Sequence, residues 1–325
     1  MKIAVIGTNF ITERLLTAAA RNPEFELAAV CASSKAKAEA FAAPYGDVPT
    51  FGDYRELLTL PQLDGVYIAT PNQLHHPMTL FFLEAGIPVL CEKPLAVTHK
   101  QAEEMVALSR KTGTLLVEGI VPLFIPNFQA IRDTLPEIGS VHTACLSFCQ
   151  YSGRYDSYRQ GIILNAFKPE CMGGSLLDIG IYPLYHAIAL FGKPDRVSAS
   201  AQLLSTGVDG SGVVVLHYPD KDVTVLHAKT SHTLLPSEIQ GEDGSILYSG
   251  GSNPITVQLQ LRGSEIQEIG REQYDERMYY ELTEFIRCIK AGETESPMAP
   301  HQLALIVYAL TDEIRRQTGV RFSCD

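Results

Sequence analysis

Positive charge is scarce in this chain. Its 325 residues carry 26 Lys and Arg against 37 Asp and Glu, a formal net charge of −11 with histidine neutral. That balance argues against a nucleic-acid backbone or an anionic membrane surface as the main partner. Signals for paired cysteines are also missing. The seven cysteines (Cys31, Cys91, Cys145, Cys149, Cys171, Cys288 and Cys324) are odd in number, with no C-x-x-C pair and no nearby histidine at metal spacing. They read as free thiols of a reducing compartment, with no metal site. No run approaches the roughly 18 uninterrupted apolar residues of a membrane span. The nearest, around Leu115 to Pro126, is broken by Glu118 and two prolines. The opening Met1 to Gly7 is too short for the apolar region of a secretory signal, and a cytoplasmic location is expected. Internal repeats and low-complexity linkers are absent too.

Apolar residues are plentiful, at 46% against 19% charged, which excludes disordered, collagenous and coiled-coil classes. Single cores stop growing near this length, so two domains are expected. Over the first 120 residues, short Val/Ile/Leu/Ala runs alternate with helical patterns. The runs are Ile3–Ile6, Leu27–Ala32, Gly65–Ala69, Val89–Cys91 and Leu115–Val117. Such near-continuous runs suit strands buried on both faces of a parallel sheet. Helices are expected over Thr12–Arg21, Ser34–Tyr45 and Asn72–Ala85, and after a capping box at Thr98 to Gln101. This β-α-β-α repetition is the pattern of a doubly wound Rossmann sheet. Beyond it, Val213/Val215/His217 and Val223/Val225/His227 alternate around Pro219 to Asp222, and Asp243-Gly244 marks a second hairpin. Strands at Ile255–Leu261 and Glu265–Ile269 and helices at Tyr279–Lys290 and His301–Gln317 complete the pattern. The expected organisation is a nucleotide domain over 1–119 and a second domain over 120–325, with a mixed or antiparallel sheet, helices on one face, and the last helix able to pack back on the first domain. A sheet with one uncovered face suggests a homodimer through that domain.

The first strand runs into Gly7-Thr8-Asn9-Phe10-Ile11-Thr12 and a helix, where dinucleotide-binding proteins place G-x-G-x-x-G. Only the first glycine is present. Asn9 can take the left-handed conformation that the turn needs, with its side chain directed away from phosphates. Thr12 can cap the helix or offer its hydroxyl to a phosphate. An ordinary strand-to-helix turn fits the segment equally. After the second strand no carboxylate awaits a ribose 2′-hydroxyl. Ser33, Ser34 and Lys35 stand there instead and would suit a 2′-phosphate, tilting the cofactor toward NADP over NAD; Ser34 as a simple helix cap is the alternative. The third and fourth strands end in Thr70-Pro71-Asn72, with His75 beyond, and in Glu92-Lys93-Pro94. Ligands bind outside the carboxyl ends of such strands, so the Lys93 ammonium would sit over the crevice, where it can polarise a substrate oxygen or carry a proton.

Further along comes Gly173-Gly174-Ser175-Leu176-Leu177-Asp178-Ile179-Gly180-Ile181-Tyr182-Pro183. Together with Ala69-Thr-Pro-Asn72 and Glu92-Lys-Pro-Leu95, in this order and separation, it resembles the glucose-fructose oxidoreductase, inositol dehydrogenase and MocA family of two-domain NAD(P)-dependent oxidoreductases. The resemblance implies that Lys93 contacts the reacting oxygen and the nicotinamide region, and that Asp178 is the motif aspartate. Tyr182 stands where many relatives have a histidine acid/base. A phenol, with an ordinary pKa near 10, serves better as an acid than as a base unless a cation such as Lys93 lowers it. The implied chemistry is hydride transfer between a nicotinamide and a carbonyl or secondary alcohol of a sugar, polyol or cyclic diol. Tyr182 would handle the proton and Lys93 would polarise the oxygen. Arg154 and Asn165 resemble substrate-domain positions and would meet sugar hydroxyls, or lie in plain surface loops. Two other readings share the scaffold: a nucleotide-dependent glycosidase and a non-catalytic sensor.

Overall fold

The computed structural model describes residues 1–322, so Cys324 lies outside the described residues. The other six cysteines are free thiols. The chain opens with β1 (Lys2–Ile6), α1 (Phe10–Ala19), β2 (Glu26–Cys31), α2 (Lys35–Ala42), β3 (Thr50–Phe51), β4 (Gly65–Ile68), α3 (His75–Glu84), β5 (Val89–Glu92), α4 (His99–Thr112) and β6 (Leu116–Gly119). Six parallel strands form one sheet in the order β3-β2-β1-β4-β5-β6. Every residue of β4, β5 and β6 is buried, as expected where helices cover both faces. The order reverses between β1 and β4, and the ends of these strands mark the crevice where doubly wound sheets bind ligands. α1 begins at Phe10, two residues earlier than the periodicity implies, because Asn9 caps it. β3, only two residues long, carries no periodic signal.

The chain continues through α5 (Pro126–Thr134), β7 (Val141–Cys149), α6 (Gly153–Arg159), α7 (Ile181–Phe191), β8 (Arg196–Leu203), β9 (Asp209–His217), β10 (Asp222–Ala228), β11 (Ser237–Gly241), β12 (Gly244–Tyr248), β13 (Val257–Leu261), β14 (Gln267–Glu268), α8 (Met278–Ala291) and α9 (His301–Thr318). The second sheet has eight strands in the order β14-β13-β12-β11-β7-β10-β9-β8. Its pairs are antiparallel except β7 with β10. Both expected hairpins are present. On β9 the buried positions are Val214 and Leu216, while Val213 is 42% exposed. Pairing of Val214 with Val225 and of Leu216 with Val223 sets this, because those partners are the buried side of β10. Both faces of β9 carry valine, so alternation alone does not choose between them.

Residues Leu176–Gly180 form one π-helical turn that runs into α7. Pro183 is the third residue of α7, directly after the π turn, where the regular hydrogen-bond ladder is already interrupted. The most apolar helical stretch is therefore Pro169–Phe191 rather than the segment around Leu115. It is long and apolar enough to cross a membrane by composition, and 72% of its most apolar window is buried inside the protein, as in a core helix.

The chain divides into two compact units. One holds Met1–Ala96, Lys100–Val121 and Tyr274–His301; the other holds Val97–His99, Pro122–Gln273 and the chain from Gln302 onward. It is thus α8 that joins the first unit, whereas α9, expected to pack back there, belongs to the second. α8 buries Met278, Leu282, Phe285, Ile286 and Cys288. The Phe285 ring lies 3.1 Å from the Cβ position of Gly65 in β4, and Asn22 donates to Thr283 Oγ1 at 3.0 Å. α9 is tied instead to β8: Gln317 accepts from Ala199 N at 2.8 Å and donates to Val197 O at 2.9 Å. Phe285→Ala should destabilise the first unit by about 3–5 kcal/mol, read as a lower urea midpoint. An unchanged midpoint would show that α8 is no part of that core.

Candidate active site

At the end of β1, Gly7 has φ +109°, and a Cβ there would lie 2.2 Å from Ala69 O. Glycine is therefore required, and the left-handed role expected of Asn9 falls to Gly7. Asn9 is extended (φ −111°, ψ 176°). Its Oδ1 accepts from Ile11 N and Thr12 N at 2.9 and 3.3 Å, and its Nδ2 donates to Ala69 O at 2.8 Å. The side chain is folded into the turn, which locks the β1 loop to β4. Thr12 is buried and donates its hydroxyl to Gly7 O at 2.9 Å, an internal bond rather than a phosphate contact. Thr8 and Ile11 remain half-exposed beside Phe10, which is 61% exposed.

After β2, Ser34 caps α2 by accepting from Lys37 N at 3.4 Å. Ser33 accepts from Lys37 Nζ at 3.1 Å. The residue one helical turn beyond Ser33 is thus the cation beside it, while Lys35 is the exposed first residue of α2. Sequence reasoning named Lys35 and passed over Lys37; the spacing of four was the available signal.

The β4 and β5 ends are joined by His75. Its ring is 1% exposed, with Nδ1 2.8 Å from Pro94 O and Nε2 2.9 Å from Thr70 O. Burial holds its pKa below the usual histidine range, so the neutral ring donates to one of these carbonyls. His75, expected at the cofactor, clamps the loops carrying Thr70, Pro71 and Asn72 on one side and Lys93 and Pro94 on the other. Lys93 is half-exposed, and Lys93–Pro94 is a cis peptide.

Glu92 faces inward, buried, with Tyr67 donating to its Oε1 at 2.6 Å. Beneath it α8 contributes Glu281, which is fully buried with neither carboxyl oxygen hydrogen-bonded. Burial pushes both carboxyls up. At Glu92 the Tyr67 hydrogen bond and the Lys93 charge oppose this, whereas at Glu281 the Glu92 charge adds to it and Arg14 opposes. Neither Tyr67 nor Glu281 was singled out from sequence, although Glu281 is an acid set within the apolar stripe of α8.

In the second unit the glycines of the Gly173–Tyr182 segment make room for a buried polar chain. A Cβ on Gly174 (φ +121°) would lie 2.2 Å from Asp209 Oδ1, and one on Gly180 would lie 2.9 Å from His227 Cγ. Asp209 Oδ2 accepts from Ser175 N at 3.0 Å, Leu176 N at 2.6 Å and Ser175 Oγ at 2.6 Å. His227 Nδ1 is 2.7 Å from Ser175 Oγ. The serine proton goes to the carboxylate, so His227, kept neutral by burial, donates from Nδ1 to the serine. The serine lies between the acid and the histidine and is fully buried, an order that serves anchoring rather than nucleophilic attack.

Asp178 lies within the π turn and pairs with Lys229, which sequence reasoning did not single out. Tyr182, half-exposed on α7, meets Phe148 edge to face at 5.8 Å. His186, one turn on, is buried and stacked on Phe128, and burial pushes it down to about 3, so it titrates outside any working range. Arg154 on α6 and Asn165 near Phe167 are both exposed. Lys93 belongs to the first unit, and Asp178, Tyr182, Arg154 and Asn165 to the second.

A carboxyl that titrates higher when folded contributes its stability in full below the unfolded value, about 4.3, and loses it as pH rises through the folded value. Glu281→Gln, which mimics the protonated acid, should therefore flatten the fall in Tm between pH 5 and pH 9 and leave the variant more stable than wild type at the alkaline end. Parallel Tm curves for the two proteins would show that Glu281 gains no proton on folding.

Residues 1–120 match the family profile described as an oxidoreductase family with an NAD-binding Rossmann fold, and residues 129–247 match the GFO/IDH/MocA C-terminal domain. Over all 325 residues the chain is 39% identical to a scyllo-inositol 2-dehydrogenase (NADP(+)) of Bacillus subtilis, covering 100% of this chain and 99% of that one. It is 38% identical to an uncharacterized oxidoreductase of Escherichia coli, covering 100% and 98%. Among solved structures, a 3-ketoreductase from Actinomadura kijaniata in complex with NADP and TDP-benzene superposes with a TM-score of 0.84 at 25% identity, covering 98% of each chain. The chain belongs to the GFO/IDH/MocA family of oxidoreductases.

Proposed function

We propose that this protein is an NADP-dependent dehydrogenase of a cyclic polyol, interconverting a ring secondary alcohol and its ketone. The observation that carries the reading is the end-to-end 39% identity with a protein named for scyllo-inositol and NADP(+). More distant full-length relatives are named trans-1,2-dihydrobenzene-1,2-diol dehydrogenase, again with vicinal hydroxyls on a six-membered ring.

The residues present fit the cofactor. At the β2 end, Ser33, Ser34 and Lys37 offer two exposed hydroxyls and an ammonium, with no carboxylate among them to repel a 2′-phosphate. At the β1 end, exposed Phe10 and the Gly7 turn leave backbone open beside the start of α1. When bound, the nicotinamide accepts or returns the hydride. The chain's own residues manage charge and the proton. Lys93, held between buried Glu92 and clamped Pro94, supplies a fixed cation that stabilises developing negative charge on an oxygen. Tyr182 supplies a phenol for the proton transfer, on a helix whose start is pinned at Asp209. Asp178, 43% exposed, offers a carboxylate to substrate hydroxyls.

Purified protein with scyllo-inositol and NADP(+) should produce NADPH. Lys93→Ala and Tyr182→Phe should each bind NADPH normally, by fluorescence, while turnover falls by roughly 10²-fold or more. Full turnover in both variants would refute these roles. NADPH bound tightly without turnover on inositols, sugars or trans-diols would mark a sensor, and net hydrolysis of a glycoside without NADPH accumulation would mark a glycosidase. Lys37→Ala should weaken NADPH by roughly tenfold, the scale of one charged hydrogen bond, and leave NADH unchanged. An equal loss for both cofactors would place Lys37 away from the 2′-phosphate.

A further inference from the structure

β10 ends just before Lys229, two residues after His227, so both side chains leave the strand toward the same side, that of the π turn. Lys229 is only 4% exposed. Its ammonium pairs with Asp178 and lies 5.3 Å from the centre of the Phe167 ring. That ring is packed in turn against Tyr155 and Tyr158 of α6, at 5.7 and 5.5 Å. The Lys229 backbone is tied on both sides: its N–H donates to Gly210 O at 2.8 Å and its carbonyl accepts from Ser152 N at 2.9 Å. An ammonium with little access to water and its stem fixed in this way has few places to go. Only a charge partner and an aromatic face compensate its burial.

We infer that Lys229 is a positioning residue of the active site: it holds the Asp178 carboxylate aimed, and acts on turnover through Asp178. The inference rests on Asp178 serving the reaction proposed above. A flexible aspartate in a turn would sample several rotamers. One paired to a buried, backbone-anchored cation keeps a single orientation, and its 43% exposed side chain retains oxygen surface for a substrate hydroxyl. Arginine can keep the cation, whereas methionine fills similar space without charge.

The test uses the whole protein with scyllo-inositol and NADP(+), with folding checked by circular dichroism. Lys229→Met should lower kcat by tenfold or more while KM for NADP(+) changes by less than twofold, and Lys229→Arg should restore kcat to within about threefold. Asp178→Asn should lose as much as Lys229→Met, and the double variant should be no worse than Asp178→Asn within twofold, since both remove one device. Multiplying losses, or an Arg variant as poor as Met, would overturn the inference; should Met fail to fold, the Arg variant and Lys229→Gln decide it by the same criteria. Lys93→Ala measured alongside separates two failures. Retained turnover there removes the oxidoreductase site itself, whereas lost turnover there with independent Lys229 and Asp178 effects removes only the positioning role.

Discussion

The Asp209 carboxylate is buried in the second unit, and its Oδ2 takes three donors from Ser175 and Leu176. A carboxylate out of water is tolerated only when such donors replace its hydration, and each bond to a charged group contributes about 1.5–3 kcal/mol. The rest of the segment follows from satisfying it. Ser175 must present both its N–H and its hydroxyl, which fixes the start of the π turn. His227 must sit against that serine, which leaves no space for a side chain at Gly180 or Gly212. Asp178 and Tyr182 then leave the turn and the helix from a backbone that has no freedom left at its origin.

The first unit solves the same problem differently. Here the loops carrying chemistry are held by neutral groups: the Asn9 amide spans from α1 to Ala69, and the His75 ring spans from Thr70 to Pro94. Both link the end of β4 to a neighbouring strand end. The crevice beside Lys93 is therefore shaped by contacts of these side chains with backbone carbonyls. Lys93 is left as the cation of this loop, with its neighbour Glu92 turned inward to Tyr67.

Much of this was legible in the sequence. Apolar runs marked β1, β2, β4, β5 and β6, because a parallel strand buried on both faces leaves an unbroken run. The hairpins at 219–222 and 243–244 were marked by turn residues. Motif order pointed to Lys93, Asp178 and Tyr182. What escaped has a common cause: it depends on partners distant in sequence. The alternation of Val223, Val225 and His227 continues in step to Lys229, but only the fold supplies the Asp178 and Phe167 partners that a lysine on that side needs. Nothing near Asn9 says that its amide is consumed by Ala69. The buried stripe of β9 was not legible because valine occupies both faces, and only register chooses between them. Lys37 differs, being within one turn of Ser33, a spacing the sequence itself displays.

Two acid sites sit in opposite surroundings. Glu92 and Glu281 lie together with a phenol, and the nearest cations, Lys93 and Arg14, are half-exposed or exposed. With no cation inside, burial pushes both carboxyls up. Asp178 faces a buried ammonium, while its own side chain is 43% exposed and open to solvent. The cost of burial falls on the lysine, which recovers part of it from the Phe167 face, and the benefit appears at the carboxylate. Had the burial been the other way round, with a hidden aspartate and a solvated lysine, the pair would offer substrate hydroxyls a mobile cation instead of a fixed acceptor. The ring alcohol proposed as substrate must give up hydrogen bonds to water, and a rigid acceptor replaces them at the least entropic cost. The inward lysine and outward aspartate leave the second unit with such an acceptor.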